Sequence, residues 1–213
     1  MLELGVKLLL AYLLGTVLGS LLLGRLRGVD IRAMGSGNAG ATNALRTQGK
    51  WFGLTVLLID VAKGVIAVWW LPAAVLPGIG IYPQVSRAWL SVACGFAAIV
   101  GHVFPVWFSF RGGKGFATMI GVIGAVELRL LVPLLLSWLL VVLLTGYIGL
   151  AAILSGVAML IYVGVFAPND APLLVFCMSV TVFIVFTHRS NIARMRAGQE
   201  SRARLWLFRS RAA

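Results

Sequence analysis

Three polar clusters interrupt an otherwise apolar chain: Gly35-Ser36-Gly37-Asn38-Ala39-Gly40-Ala41-Thr42-Asn43 with Arg46, Gly112-Gly113-Lys114-Gly115, and His188-Arg189-Ser190-Asn191. Each combines backbone amides or hydroxyls with a basic side chain, and the core of each lacks a carboxylate. Converging N–H groups beside a fixed positive charge are what a phosphate group binds. The clusters therefore point to anionic, phosphorylated substrates.

The elements that must position them are set by composition. Of 213 residues 61% are hydrophobic and 11% charged, and the apolar stretches approach bilayer length. In hydrocarbon every backbone amide needs an internal partner, so such a chain folds as helices, and the alternation of a membrane barrel is absent. The expected fold is an all-α, polytopic integral membrane helix bundle, one domain over 1–213. Apolar segments run from Leu8 to Leu23, Phe52 to Leu71, Ala88 to Phe108, Phe116 to about Val126, Leu130 to Leu144, Ile148 to Phe166 and Leu173 to Thr187. That predicts about seven transmembrane helices, or five if the middle segments pair into long tilted or re-entrant elements.

Charge gives the orientation. Arg25, Arg27, Arg32, Arg46 and Lys50 crowd 25–50, whereas 72–87 holds only Arg87. The basic tail 188–213 carries Arg189, Arg194, Arg196, Arg202, Arg204, Arg209 and Arg211. The positive-inside rule places both stretches, and all three clusters, on the cytoplasmic side with the N-terminus outside. The first segment is followed by its positive charge, the reverse of a signal peptide, so it is expected to be retained. This bias accounts for the net charge of +12, and nucleic acid is not an expected partner because no recognition module is present. Leu205, Trp206, Leu207 and Phe208 among the tail arginines suggest an interfacial anchor on anionic lipid. Cys94 and Cys177 lie in apolar segments without metal-ligand spacing and are expected to pack; no metal or organic cofactor is indicated.

Two nucleotide motifs fail on context. Gly35 to Gly40 spells G-x-G-x-x-G with Asp60 twenty residues on, but a membrane helix precedes it in place of a strand. Gly112 to Gly115 lacks the first glycine and the Ser/Thr of a nucleotide P-loop. What survives is a glycine turn with Lys114 at the positive end of the helix from Phe116. His188 and Asn191, spaced i, i+3, share a helical face that Arg194 continues. Asp60 and Lys63, also i, i+3, are expected to neutralise each other inside the bundle, and His102 to brace the Gly-Lys turn. A small-anion transporter would want its clusters at mid-membrane and an inverted repeat, and neither is seen. Gly15 to Gly19 forms a G-x-x-x-G, expected to pack helices of this chain together.

The stretch Arg32 to Arg46, the stretch from Gly101-His102-Val103-Phe104-Pro105-Val106-Trp107 through Gly112-Gly113-Lys114-Gly115-Phe116-Ala117-Thr118, and the H-R-x-N-I-x-R-x-x-x-G-x-E pattern from His188 to Glu200 resemble, in order, the three signatures of the bacterial acyl-phosphate-dependent glycerol-3-phosphate acyltransferases. Asp60-Val61-Ala62-Lys63-Gly64 resembles a further element of that family. The resemblance implies transfer of a fatty acyl group from acyl phosphate to the 1-hydroxyl of sn-glycerol 3-phosphate, giving lysophosphatidic acid and phosphate. It also implies a multi-pass protein of the bacterial cytoplasmic (inner) membrane, in contact with membrane lipid and served by a soluble enzyme that makes acyl phosphate. Ser36, Arg46, Lys114, His188 and Asn191 carry over as catalytic positions. Gly37, Asn38, Thr42, Asn43, Gly112, Gly113 and Gly115 carry over as substrate-binding ones. The chain departs from the family at Gly146 and Gly149, where a basic residue and a Ser are usual.

An acyl phosphate is already activated, so positioning the hydroxyl and neutralising the leaving phosphate would supply most of the acceleration without an acyl-enzyme. Lys114 and the Gly112 to Gly115 amides are assigned to one phosphate, and Arg46, Ser36 and Asn191 to glycerol phosphate. The hydroxyl proton goes either to His188 or to a substrate phosphate; no Asp or Glu except Glu200, at the far end of the third pattern, lies within the clusters.

Overall fold

The computed structural model describes residues 2–82 and 84–203, and every regular element among them is helical. The tail residues Arg204 to Phe208, with Arg209 and Arg211, lie outside the described residues. The chain divides into two compact units, Met1–Leu128 and Arg129–Ala213.

In the first unit α1 (Leu2–Gly15) and α2 (Gly19–Leu26) form one apolar run bent by 46° at residues 16–18. A break inside hydrocarbon strands main-chain carbonyls, each costly to leave unpaired. Lys63 meets that need by donating from Nζ to Gly15 O at 2.9 Å and Val17 O at 2.8 Å. Its partner Asp60, 2.9 Å from the ammonium, accepts from Gly19 N at the start of α2 at 3.4 Å. Cation at a helix C-terminus and anion at an N-terminus match the two dipole ends. The expected neutralising pair is thus present, and it also closes the break.

The helix α3 (Ala41–Gln48) is amphipathic and short, and the apolar pattern gave no sign of it. After it come α4 (Lys50–Trp69), α5 (Arg87–Val103) and α6 (Phe116–Val126). Gly115, at φ +83°, caps α6 in the left-handed conformation open to glycine. Tyr12 ties α1 to the end of α5 by donating to Phe104 O at 2.7 Å. On α1 Lys7 and Glu3 pair at 2.9 Å, and Arg87 joins Glu3 at 2.6 Å.

The second unit holds α7 (Leu131–Thr145), α8 (Ile148–Phe166), α9 (Ala171–Thr187) and α10 (Arg189–Arg196). Asp170 caps α9 by accepting from Leu173 N at 3.0 Å, and α10 leaves α9 at 51°. Thr181 donates to Gly156 O at 3.0 Å, fastening α9 on α8.

Among the described residues four helices are long and apolar enough to cross a membrane, and six spans result if each bent pair counts as one. The expected seven included α6. Its 11 residues reach only about 16 Å at 1.5 Å per residue, roughly half a bilayer core. The helical membrane fold is as expected; by length and composition four to six spans are found among the described residues, with α6 a short apolar helix beside them.

Candidate functional site

The first cluster is a loop built around Asn43. The Asn43 amide accepts from Ser36 N at 2.9 Å and donates to Ile31 O at 3.1 Å and Met34 O at 2.9 Å. Buried itself, Asn43 shapes the loop that leaves Ser36 and Gly37 exposed. This differs from a purely substrate-binding part, because its hydrogen-bonding groups are engaged by the backbone. Thr42 and Arg46 are exposed and i, i+4 on α3, so they share a face one turn apart. Asn38 is half-buried, its amide beside Gly40.

Arg32 joins this loop to the approach of the second cluster. It pairs with Asp30 at 2.8 Å, which holds that carboxyl below the ordinary carboxylate range. Its other terminal nitrogen donates to Phe108 O at 3.3 Å and Arg111 O at 3.4 Å.

In the second cluster Gly112 N donates to Val103 O and Gly113 N to His102 O, each at 3.1 Å. The expectation that all four amides of the turn converge on an anion therefore narrows. Two of them are spent folding the turn back on the end of α5. What the turn presents to an anion begins at Lys114, half-buried just ahead of α6, where the helix dipole is positive.

The third cluster lies in the second unit. His188 ends α9 and Asn191 sits on α10; both are buried. His188 Nδ1 is 2.9 Å from Ile184 O, and a carbonyl only accepts, so the proton is assigned to Nδ1 and a lone pair to Nε2. Asn191 Nδ2 donates to Glu200 Oε1 at 2.5 Å, and Arg194 Nε to Glu200 Oε2 at 2.6 Å. Glu200, the one carboxylate of the third pattern, anchors both Asn191 and Arg194, a task that its spacing along the chain does not reveal.

The two departures from the family pattern also lie here. Gly146 ends α7 at φ +75°, with Arg202 packed where a Cβ would stand and Ala203 N donating to Gly146 O at 2.7 Å. Arg202 also lies over the Tyr147 ring at 5.1 Å and donates to its hydroxyl at 3.3 Å. At Gly149 a Cβ would fall 2.7–2.8 Å from three atoms of the Asn191 side chain, so a bare α8 is what admits Asn191.

Against known proteins, residues 6–198 match the family model described as glycerol-3-phosphate acyltransferase. A glycerol-3-phosphate acyltransferase of Pasteurella multocida is 38% identical over 92% of this chain and 91% of its own length. One from Klebsiella pneumoniae is 42% identical over 91% and 89%. Among solved structures, PlsY (YgiH), an integral membrane glycerol 3-phosphate acyltransferase, is similar at 33% identity over 93% of this chain and 94% of that one. The TM-scores are 0.79 for its glycerol 3-phosphate form and 0.78 for its lysophosphatidic acid form.

Proposed function

This chain belongs to the glycerol-3-phosphate acyltransferase family, and from that premise we propose that it moves a fatty acyl group from acyl phosphate to the 1-hydroxyl of sn-glycerol 3-phosphate. The hydroxyl oxygen bonds to the acyl carbon, the carbon–oxygen bond to phosphate breaks, and lysophosphatidic acid and inorganic phosphate leave. Lys114 ahead of the α6 dipole is the observation that carries the reading, because it sets a full charge and a helix N-terminus on one anion. Ser36, Thr42 and Arg46, exposed beside a loop that Asn43 holds, serve glycerol phosphate together with Gly37 and Asn38. Gly112, Gly113 and Gly115 contribute the shape of the turn.

His188 accepts the hydroxyl proton at Nε2 or orients the group that does; its Nδ1 contact to Ile184 O supports that tautomer. Asn191, anchored by Glu200, orients substrate beside it. All of these residues serve one reaction in a single acyltransferase domain, a reading supported by a family match that runs from 6 to 198.

The protein sits in the bacterial inner membrane with its N-terminus outside and its basic C-terminus and polar clusters facing the cytoplasm, as the arginine distribution supports. That orientation requires an even number of crossings between the second and third clusters. The short α6 then crosses with α7, α8 and α9 by local thinning of the bilayer. Acyl phosphate arrives from a soluble enzyme that makes it.

The test is lysophosphatidic acid formation by purified, detergent-solubilised protein from glycerol 3-phosphate, with acyl phosphate, acyl-CoA or acyl carrier protein in parallel. Product from acyl phosphate alone supports the donor. Product only from a thioester rejects it.

A further inference from the structure

Asp60, Lys63 and His102 are buried, at 0%, 3% and 2% exposure, and the reaction above gives them no task. Lys63 Nζ has four neighbours: Gly15 O, Val17 O, Asp60 Oδ1 and His102 Nδ1, the last at 2.9 Å. An ammonium only donates, so Nδ1 accepts and the ring proton is assigned to Nε2. That Nε2 edge fills the space a Cβ on Gly113 would need. The same histidine takes the Gly113 amide on its own carbonyl at 3.1 Å. Gly113 is thereby gripped twice by one residue, immediately before Lys114.

We propose that His102 is a positioning residue for the Gly112 to Gly115 turn, and that the Asp60–Lys63 pair acts on the turn by fixing the imidazole's rotation and tautomer. The pair thus has two tasks, closing the α1–α2 break and setting the aim of Lys114. Gly113 is glycine because the imidazole stands where its side chain would. The inference rests on reading the turn as a phosphate site.

His102→Asn keeps an acceptor near the Nδ1 position and withdraws the ring from Gly113. His102→Gln reaches toward the Nε2 position with an amide N–H. Both are compared with Gly113→Ala, with the His102→Asn/Gly113→Ala pair and with Lys114→Ala, reading kcat and KM for both substrates alongside thermal unfolding in detergent. Gly113→Ala alone is expected to lower kcat/KM by about 10²-fold, the effect of misplacing a binding group by roughly 1 Å. In the His102→Asn background the new methyl enters vacated space, and the same change is expected to lower it by less than about tenfold further. His102→Gln is expected to keep more activity than His102→Asn at similar unfolding temperature.

Additive losses for His102 and Gly113, or equal activity of the Asn and Gln variants, overturn the inference. So does a His102→Asn protein that is less stable with both kinetic constants unchanged. Should His102→Asn not fold, His102→Ser, which also withdraws the ring from Gly113, gives the same comparison when paired with Gly113→Ala. Full activity in Lys114→Ala would instead remove the phosphate reading beneath it, whatever the coupling shows.

Discussion

Lys63 Nζ stands 2.9 Å from His102 Nδ1, and that contact puts the ring proton on the far nitrogen, Nε2. His188 is set the opposite way, its Nδ1 turned to Ile184 O at 2.9 Å so that Nε2 carries the lone pair. Two histidines in one chain therefore present opposite faces, one a donor against a turn and the other an acceptor. The backbone and charge partners of each ring decide its role.

Breaking the buried pair is expected to destabilise the protein more than replacing it whole. Asp60→Asn or Lys63→Met leaves a lone charge in an apolar interior, and about 3–5 kcal/mol is expected for each. The double change Asp60→Leu/Lys63→Met is expected to recover part of that loss. Unfolding temperatures in one detergent compare all three, and a double variant worse than both singles would contradict the account.

Lys114→Ala is expected to reduce turnover by about 10²–10³-fold, the scale of removing one preorganised charge stabiliser. Lys114→Arg is expected to recover little, since a guanidinium presents its charge as a planar fork rather than a point. Initial rates with saturating acyl phosphate decide it.

Glu200→Gln weakens two hydrogen bonds to Asn191 and Arg194 at once. Each charge-assisted bond is worth about 1.5–3 kcal/mol, so loss of both activity and stability is expected. Arg194→Ala, which leaves the Asn191 contact in place, is expected to keep more activity. A ranking with Arg194→Ala below Glu200→Gln would show that Glu200 does not act through Asn191.

Gly149→Ala puts a methyl within 2.8 Å of the Asn191 side chain and must displace it. A fall in kcat/KM of about tenfold or more, with the helical circular-dichroism spectrum preserved, is expected for a shift of a fraction of 1 Å at a site residue. Gly164→Ala, where a Cβ meets nothing within 4 Å on the same helix, is the control and is expected to be silent.

Cys94 and Cys177 are both free and buried, Cys94 with its thiol 3.8 Å from Lys7 O. Maleimide is expected to leave both unmodified, and activity unchanged, until the protein is unfolded. Intact mass before and after denaturant reads this directly.

Local patterns by themselves determined a good deal. Hydropathy marked seven apolar segments, and α4 to α9 fall on them, because burial in lipid is a property of each helix alone. Residue type and spacing marked the three clusters, the Asp60–Lys63 pair and the family, since an i, i+3 pair or a glycine turn needs only its own neighbours.

The tertiary structure decided what depends on residues far apart. The apolar run 8–23 gave no sign of breaking at 16–18, because the group that satisfies its carbonyls, Lys63, comes more than forty residues later. The loop-holding task of Asn43 shows only where its amide meets Met34 and Ser36. The Gly112 and Gly113 amides read as available until they met the carbonyls at the end of α5. Gly149 stands in the sequence only as a departure from the family pattern, and its packing against Asn191 gives the departure a steric reason. A hydrogen bond or a steric fit across the bundle is made only when helices pack, and no spacing along the chain encodes which groups will then be facing.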